Sequence, residues 1–219
     1  MIINIRQLSS NIKQEYLIDG DFSCRGKLGS FNRFQRITLS AQNQLLYAKY
    51  HFKNPINYIP LIDMLGFNKL SRVFHIYDST GFCGEFLYTE HGFAQKHYII
   101  KAHDLLLPCY EYSHDKFNYI SVYLGETQIA LIETYLVVND LKYKHKIYLL
   151  DDYENLKEIL ALFVLYYANY NFTKRFHMSA GVFTTKSFSY SKYKDKYSPS
   201  WQRTNFPNDN FWGKTNLYN

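Results

Sequence analysis

Cysteine is scarce in this chain and long apolar segments are absent, and both facts exclude whole classes of protein. The 219 residues include three cysteines, Cys24, Cys83 and Cys109, which lie far apart and form no C-x-x-C pair. This odd, dispersed set predicts free thiols in a reducing compartment and argues against a disulfide framework or a zinc site. No apolar run reaches the roughly 20 residues that span a bilayer, and the first residues lack a signal-peptide pattern. We therefore expect a cytoplasmic protein without a transmembrane segment.

The motifs of common enzyme families are also missing. The sequence has no G-x-S-x-G elbow, no G-x-x-x-x-G-K-[ST] loop, no G-x-G-x-x-G fingerprint and no H-E-x-x-H motif. His97 and His103 fall near His91, but no cysteine or carboxylate joins them at the spacing of metal ligands. Cys83 follows a turn, yet the sequence identifies no base to activate it as a nucleophile. We predict a non-enzymatic protein with no catalytic residue, metal or cofactor; an enzyme with an unrecognised site is a further alternative.

Glycine and proline are sparse, whereas aromatic residues make up 19% of the chain. Tyrosine and phenylalanine favour strands, and alternating apolar and polar positions mark a half-buried strand. Turn residues such as Asp78 and Gly81 join successive strands, as in antiparallel hairpins. In the last strand, Lys142, Lys144 and Lys146 alternate with apolar residues and predict a solvated face or a protected edge. The predicted strands are 15–24, 35–40, 45–52, 72–78, 82–90, 95–103, 106–113, 118–124, 127–138 and 142–150.

Segment 151–172 has the strongest helical pattern. Asp151 and Glu154 match a D-x-x-E capping box, and only two tyrosine hydroxyls interrupt the apolar run 159–168. A helix that is apolar on every side must be surrounded, and this run is too short to cross a bilayer. Among so many strands, the pattern predicts a mainly β protein, a closed antiparallel β-barrel around one buried helix at 152–170.

Three phrases in the sequence resemble parts of one known superfamily. They are the strand–D-x-x-G–strand unit FHIYDSTGFCGEFLY (74–88), its later copy YISVYLGETQIALIE (119–133) and the helix ENLKEILALFVLYYANYN (154–171). Their order resembles the tubby-like superfamily, which groups the tubby C-terminal domain, phospholipid scramblases and LURP-one-related proteins, over roughly residues 15–172. The resemblance implies a barrel of about twelve strands around a core helix, with membrane or phosphoinositide roles in some members. It assigns no binding residue, because no phosphoinositide-binding motif matches.

Charge divides the chain into a neutral body at 1–172 and a basic extension at 173–219. The extension holds eight basic and two acidic residues, which accounts for the whole formal net charge of +6, and it contains both tryptophans. Such an ending departs from the superfamily pattern, in which the core helix lies near the C-terminus. We therefore interpret 1–172 as the barrel domain and 173–219 as a separate functional element.

The extension is the predicted binding element. Lysine and arginine attract anionic lipids, while tryptophan and tyrosine favour the lipid–water interface. The same combination suits single-stranded nucleic acid, and the aromatic side chains could instead pack on the barrel. We expect a non-enzymatic protein that binds an anionic membrane surface or a protein partner, with a nucleic-acid-binding or small-ligand-carrying barrel as the alternative. The candidate binding residues are Lys186, Lys192, Lys194, Lys196, Trp201, Arg203 and Trp212.

Segment 54–68 interrupts the strand pattern. Pro55 and Pro60 exclude a central strand, but the apolar residues between and after them are too many for a bare loop. Two interpretations stay open: a short helix or cap that closes one end of the barrel, and a hydrophobic lid that dips into a membrane.

Overall fold

The computed structural model describes residues 1–9, 14–20, 24–28, 36–41, 44–50, 72–90, 96–114, 117–137, 142–172 and 194–209. These residues contain twelve strands, two α-helices and two short 3-10 helices. The strands are β1 (Ile2–Ser9), β2 (Gln14–Gly20), β3 (Cys24–Leu28), β4 (Arg36–Ala41), β5 (Gln44–Tyr50), β6 (Arg72–Tyr77), β7 (Phe82–Glu90), β8 (Lys96–Ala102), β9 (Leu105–His114), β10 (Phe117–Leu124), β11 (Thr127–Val137) and β12 (Lys142–Leu149). The helices are α1 (Lys157–Phe172) and α2 (Pro199–Asn205). Segment 54–68 lies outside the described residues.

The strands form a closed antiparallel barrel. Each strand pairs with its neighbours in sequence, and β1 pairs with β12 to complete the ring, with Ile3 opposite Ile147 and Ile5 opposite His145. Successive side chains of a strand point to opposite faces, so Ile3 and Ile5 face inward, whereas Arg6 faces outward and is exposed. Closure leaves none of the twelve strands with an unpaired edge, which removes a route to aggregation.

The helical segment begins at Asp151, close to the predicted start at 152, but its first six residues, Asp151–Leu156, form a 3-10 helix that leads into α1. The residue before the 3-10 helix, Leu150, makes no side-chain cap. Asp151 instead binds the backbone nitrogen of Met1, and Glu154 pairs with Lys157. The capping-box interpretation fails because long-range and local ion pairs take both carboxylates.

Helix α1 is buried on all sides through residues 159–168. Leu160 and Phe163 are fully buried, as the apolar run predicts, and they join the same core cluster as the inward side chains of the strands. The Phe163 ring lies 5.5 Å from the ring of Phe86. On β3, Gly26 leaves room for Leu165, because a β-carbon at this glycine would overlap the Leu165 side chain. The helix and the strands therefore share one apolar core.

Polar side chains enter the interior mainly at the end where β1 finishes and β2 begins. The Thr134 hydroxyl lies 2.9 Å from Nδ1 of His145, and burial lowers the pKa of that imidazole to about 3. At the same end of the barrel, on β2, the Tyr16 hydroxyl donates to Gln14 Oε1 at 2.9 Å. Each of these two contacts pairs a buried hydroxyl with a polar side chain close to it in the fold, as is usual for buried polar groups.

The sequence analysis does not predict β1 and β3 as separate strands. The predicted strand 15–24 spans the break between β2 and β3, and β1 was not predicted. Strand β3 reads CRGKL, which is short and rich in charge, because its outward positions carry Arg25 and Lys27. The alternation is present, but five residues are too few to separate it from a turn by pattern alone.

Replacing Leu160 by Asp should unfold or severely destabilise the protein. An unpaired carboxylate in this apolar core costs several kcal/mol, which is comparable with the roughly 5–15 kcal/mol that stabilises a typical domain. Urea unfolding followed by circular dichroism measures the effect. Leu106→Asp is the matched control, because Leu106 is 54% exposed and should tolerate the same change. Equal midpoints for the two variants would contradict the buried position of α1.

Acid should destabilise the fold through His145. Its pKa of about 3 in the folded state lies below the ordinary value of 6.5, so the unfolded chain binds the extra proton as the pH falls. Between pH 7 and pH 5 the free energy of unfolding should drop by about 2 kcal/mol from this residue. Urea unfolding at both pH values should show a smaller drop for His145→Gln. The exposed His103 provides the control, and His103→Gln should keep the wild-type drop; a His145→Gln variant that also keeps it would refute the assignment.

Candidate functional site

The structure describes part of the predicted binding element, residues 194–209, and places it on the outside of the barrel. This docked segment contains the 3-10 helix Lys194–Lys196 and α2. Its aromatic side chains pack on strands β9–β12: the Tyr197 ring lies 4.7 Å from Tyr119 and stacks on Tyr112 at 4.9 Å. Phe206, which is buried, lies 5.3 Å from the ring of Tyr148. A second apolar cluster thus forms between the segment and the outer wall.

A polar anchor holds the end of the docked segment. Asp209 Oδ2 lies 3.0 Å from Nζ of Lys146 and accepts a hydrogen bond from the Tyr148 hydroxyl at 2.7 Å. That hydroxyl also lies 3.3 Å from Glu133, and desolvation with the nearby carboxylates raises the pKa of Tyr148. The Lys146 side chain is only 7% exposed. The prediction of a solvated lysine face on β12 is therefore wrong for Lys146, whereas Lys144 is exposed as predicted.

Three predicted binding residues have described side chains. Lys196 Nζ lies 3.4 Å from Glu126, which raises the lysine pKa, and 5.2 Å from the ring centroid of Tyr123. The indole nitrogen of Trp201 donates to the Gln128 carbonyl at 3.1 Å, so this tryptophan faces the barrel. Arg203 is exposed. The side chain of Lys194 and the residues Lys186, Lys192 and Trp212 lie outside the described part of the chain.

The outer wall of β3–β5 carries a basic surface that the sequence analysis missed. Arg25, Lys27, Arg36 and Lys49 point outward from these strands and are exposed, and the three strands contain no acidic residue. Arg36 lies opposite Lys49 in the β4–β5 pair. Only Lys27 has an ion-pair partner among the described residues, Glu15 on β2 at 3.4 Å. We call Arg25, Lys27, Arg36, Lys49 and the interleaved Tyr47 the basic face.

An aromatic contact holds the central arginine of the basic face. Cζ of Arg36 lies 3.7 Å above the ring of Tyr47, and Tyr47 stacks on Tyr77 with ring centroids 5.1 Å apart. A cation–π contact uses the face of the guanidinium and leaves its N–H groups directed outward along the edge. The arrangement can therefore present a positioned fork of donors to a phosphate or carboxylate.

The basic face and the docked segment lie on opposite sides of the barrel. In the closed order of strands, β4 is separated from β10 by six places in either direction. The predicted tail residues that dock on β9–β12 are thus remote from Arg36 and Lys49. The cations of the tail are recognisable in the sequence because they are clustered along one segment, whereas the cations of the basic face come from three separate strands.

Candidate catalytic and metal-binding groups do not assemble in the described residues. Burial raises the pKa of the Cys83 thiol to about 11 and that of Cys24 to about 12, so both are protonated at neutral pH. No three side chains among His, Cys, Asp and Glu lie together as metal ligands in the described ranges. Within the same ranges, no helix is both long and apolar enough to cross a bilayer.

Removal of the Asp209 carboxylate should loosen the docked segment. The Asp209→Asn variant leaves the largely buried Lys146 without its anionic partner on the segment. The docking of the segment should weaken by about 2 kcal/mol, a value between those of exposed and of fully buried ion pairs. In a Trp212→Phe background Trp201 is the only tryptophan, and its emission should shift to the red as the indole leaves Gln128. Asp195→Asn removes the same charge from an exposed position of the segment. Identical tryptophan emission spectra and identical urea-unfolding midpoints for the two variants would show that Asp209 does not anchor the segment.

Comparisons with known proteins add no family to this geometry. No protein-family model matches the chain. No curated protein and no solved structure matches it either.

Proposed function

We propose that this protein is a non-enzymatic barrel that binds an anionic membrane surface through the basic face. The observation that carries the proposal is the set of four outward cations on β3–β5, three consecutive strands that have no acidic residue. A solvated strand face usually mixes both signs of charge. Concentration of one sign on one wall favours an anionic partner. Peripheral attachment at the inner face of a membrane, in the cytoplasm, is the corresponding location.

The barrel interior supports a role on the outer surface. We propose that α1 is a central helix that fills the barrel, because ten consecutive side chains, 159–168, are buried and pack against strands on different sides of the ring. Leu165 reaches Gly26 on β3, whereas Phe163 meets Phe86 on β7. An interior occupied by packed side chains has no room for a carried ligand. A packed interior disfavours a small-ligand carrier and leaves the outer wall as the binding surface.

A relation to the tubby-like superfamily is part of the same proposal. Twelve antiparallel strands in a closed meander, followed by one apolar helix, agree with the architecture that the resemblance implies. Membrane and phosphoinositide association in some members of that superfamily agrees with a basic outer wall. The superfamily supplies no residue assignment for this chain, so Arg25, Lys27, Arg36 and Lys49 are assigned from their geometry alone.

For the parts of the basic extension outside the described residues, a role in binding stays a prediction. Trp201 and Lys196 are engaged with the barrel through Gln128 and Glu126, so they contribute less to a membrane surface than the sequence analysis expects. Lys186, Lys192 and Trp212 keep their predicted role as additional contacts. A contribution from them adds to that of the basic face, because the two sets differ in position and can be removed separately.

Neutralising two cations of the basic face should weaken binding to anionic vesicles. Each basic residue near an anionic bilayer contributes on the order of 1 kcal/mol, so Arg36→Gln with Lys49→Gln should reduce affinity roughly 30-fold at low salt. Co-sedimentation with phosphatidylcholine vesicles with and without phosphatidylserine measures the effect. The control is Lys144→Gln with Arg203→Gln, which removes the same charge from exposed positions elsewhere on the protein.

The outcomes separate the candidate surfaces and partners. If the two double variants lose affinity equally, net charge and not the basic face drives binding. A loss confined to Lys186→Gln with Lys192→Gln would assign binding to the extension, as the sequence analysis expects. Absence of binding to anionic vesicles, together with a gel shift of single-stranded oligonucleotide, would replace the membrane by nucleic acid as the partner.

A further inference from the structure

Three exposed apolar side chains lie at the barrel end that carries the β4–β5, β6–β7 and β8–β9 turns. Leu45 is 44% exposed, Phe82 59% and Leu106 54%. Each is the first or second residue of the strand that follows its turn. In an antiparallel meander every second turn is at the same end, so the three residues occupy consecutive hairpins. Neighbouring members are about 10 Å apart, since two strand spacings separate them. We call these three residues the apolar rim.

An unbroken row of contacts connects the apolar rim to the basic face. Arg36 lies on the Tyr47 ring, and Tyr47 stacks on Tyr77. The Tyr77 ring centroid is 6.0 Å from that of Phe82, which also makes an edge contact with His75 at 5.1 Å. The order along this row is cation, amphipathic tyrosines and exposed phenylalanine. A membrane interface has the same order of environments, from phosphate through the carbonyl region to acyl chains.

We infer that the apolar rim inserts into the interfacial layer of an anionic bilayer while the basic face lies against its headgroups. This inference rests on the proposed function and adds the orientation of the barrel: the end with the β6–β7 turn is directed to the membrane. Insertion is shallow, because the turns themselves keep exposed polar residues such as Asp104. The basic face supplies attraction that salt screens, and the apolar rim supplies attraction that salt does not screen.

A bilayer fits the apolar rim better than a folded partner does. Protein interfaces bury contiguous apolar patches with packed cores, whereas these three side chains stand apart on separate hairpins. A fluid interface accepts separate side chains one by one. Single-stranded nucleic acid would use Tyr47 and Arg36 but would gain little from Leu45 and Leu106, which offer no ring for stacking.

The inference is tested with vesicles that contain phosphatidylserine, at low and at high salt, using the full chain. Phe82→Ser should keep most of the low-salt binding and lose roughly tenfold in affinity at high salt. The reason is that binding of the wild-type protein moves the apolar Phe82 side chain out of water, and serine does not supply this free energy. Leu106→Ser should have a smaller effect in the same direction. Leu8→Ser is the matched control: Leu8 is 42% exposed but lies near the end of β1, at the other end of the barrel. Circular dichroism verifies that all variants fold.

Insertion itself is measured by quenching from brominated lipids. The variants Phe82→Trp and Leu8→Trp each add one tryptophan to the same background, and brominated lipid should quench the added emission only at position 82. Wild-type binding with no effect of Phe82→Ser and no extra quenching at position 82 would overturn the orientation and leave the proposed function standing. Failure of the wild-type chain to bind anionic vesicles at low salt would overturn both.

Discussion

The structure depends on one packing constraint: the inward apolar side chains of a closed ring of twelve strands and a helix that is apolar on every side must all be removed from water. Each element alone would expose a large apolar surface to water. Together they bury Phe86 and Tyr98 of the strands, whose rings lie 5.5 and 5.6 Å from the ring of Phe163 on the helix. Close packing of this kind makes the interior sensitive to volume and charge. The helix and the strands therefore stabilise one another through one shared core.

This constraint determines where function can reside. The buried Tyr167 donates its hydroxyl to Glu111 on β9 at 2.8 Å, so this polar group is satisfied within the barrel. Two opposite regions of the outer wall differ in character. Strands β9–β12 receive the docked segment through aromatic stacking and the Lys146–Asp209 ion pair. Strands β3–β5 present cations to solvent, and the hairpins at one end of the barrel expose Leu45, Phe82 and Leu106, so this second region is the one suited to a partner.

The sequence predicts the features that local pattern determines. An apolar run without interruption predicts the buried helix, and alternation predicts ten strand segments, because both depend on neighbouring residues. Features decided by distant partners were not predictable. Asp151 binds Met1 in place of a helix cap, and Lys146 is buried because Asp209 meets it from the docked segment. The basic face has the same origin, since strand pairing brings together Arg25, Arg36 and Lys49 from separate strands.

The central claim is that packed side chains fill the interior of the barrel and that the basic face is the binding surface. Amide hydrogen exchange with and without phosphatidylserine vesicles tests this claim. The account predicts slow exchange for peptides of α1 in both samples. It also predicts that vesicles add protection to peptides of β3–β5 and of the β6–β7 hairpin, with no change in residues 194–209. Rapid exchange in α1, or vesicle-induced protection confined to 194–209, would contradict it.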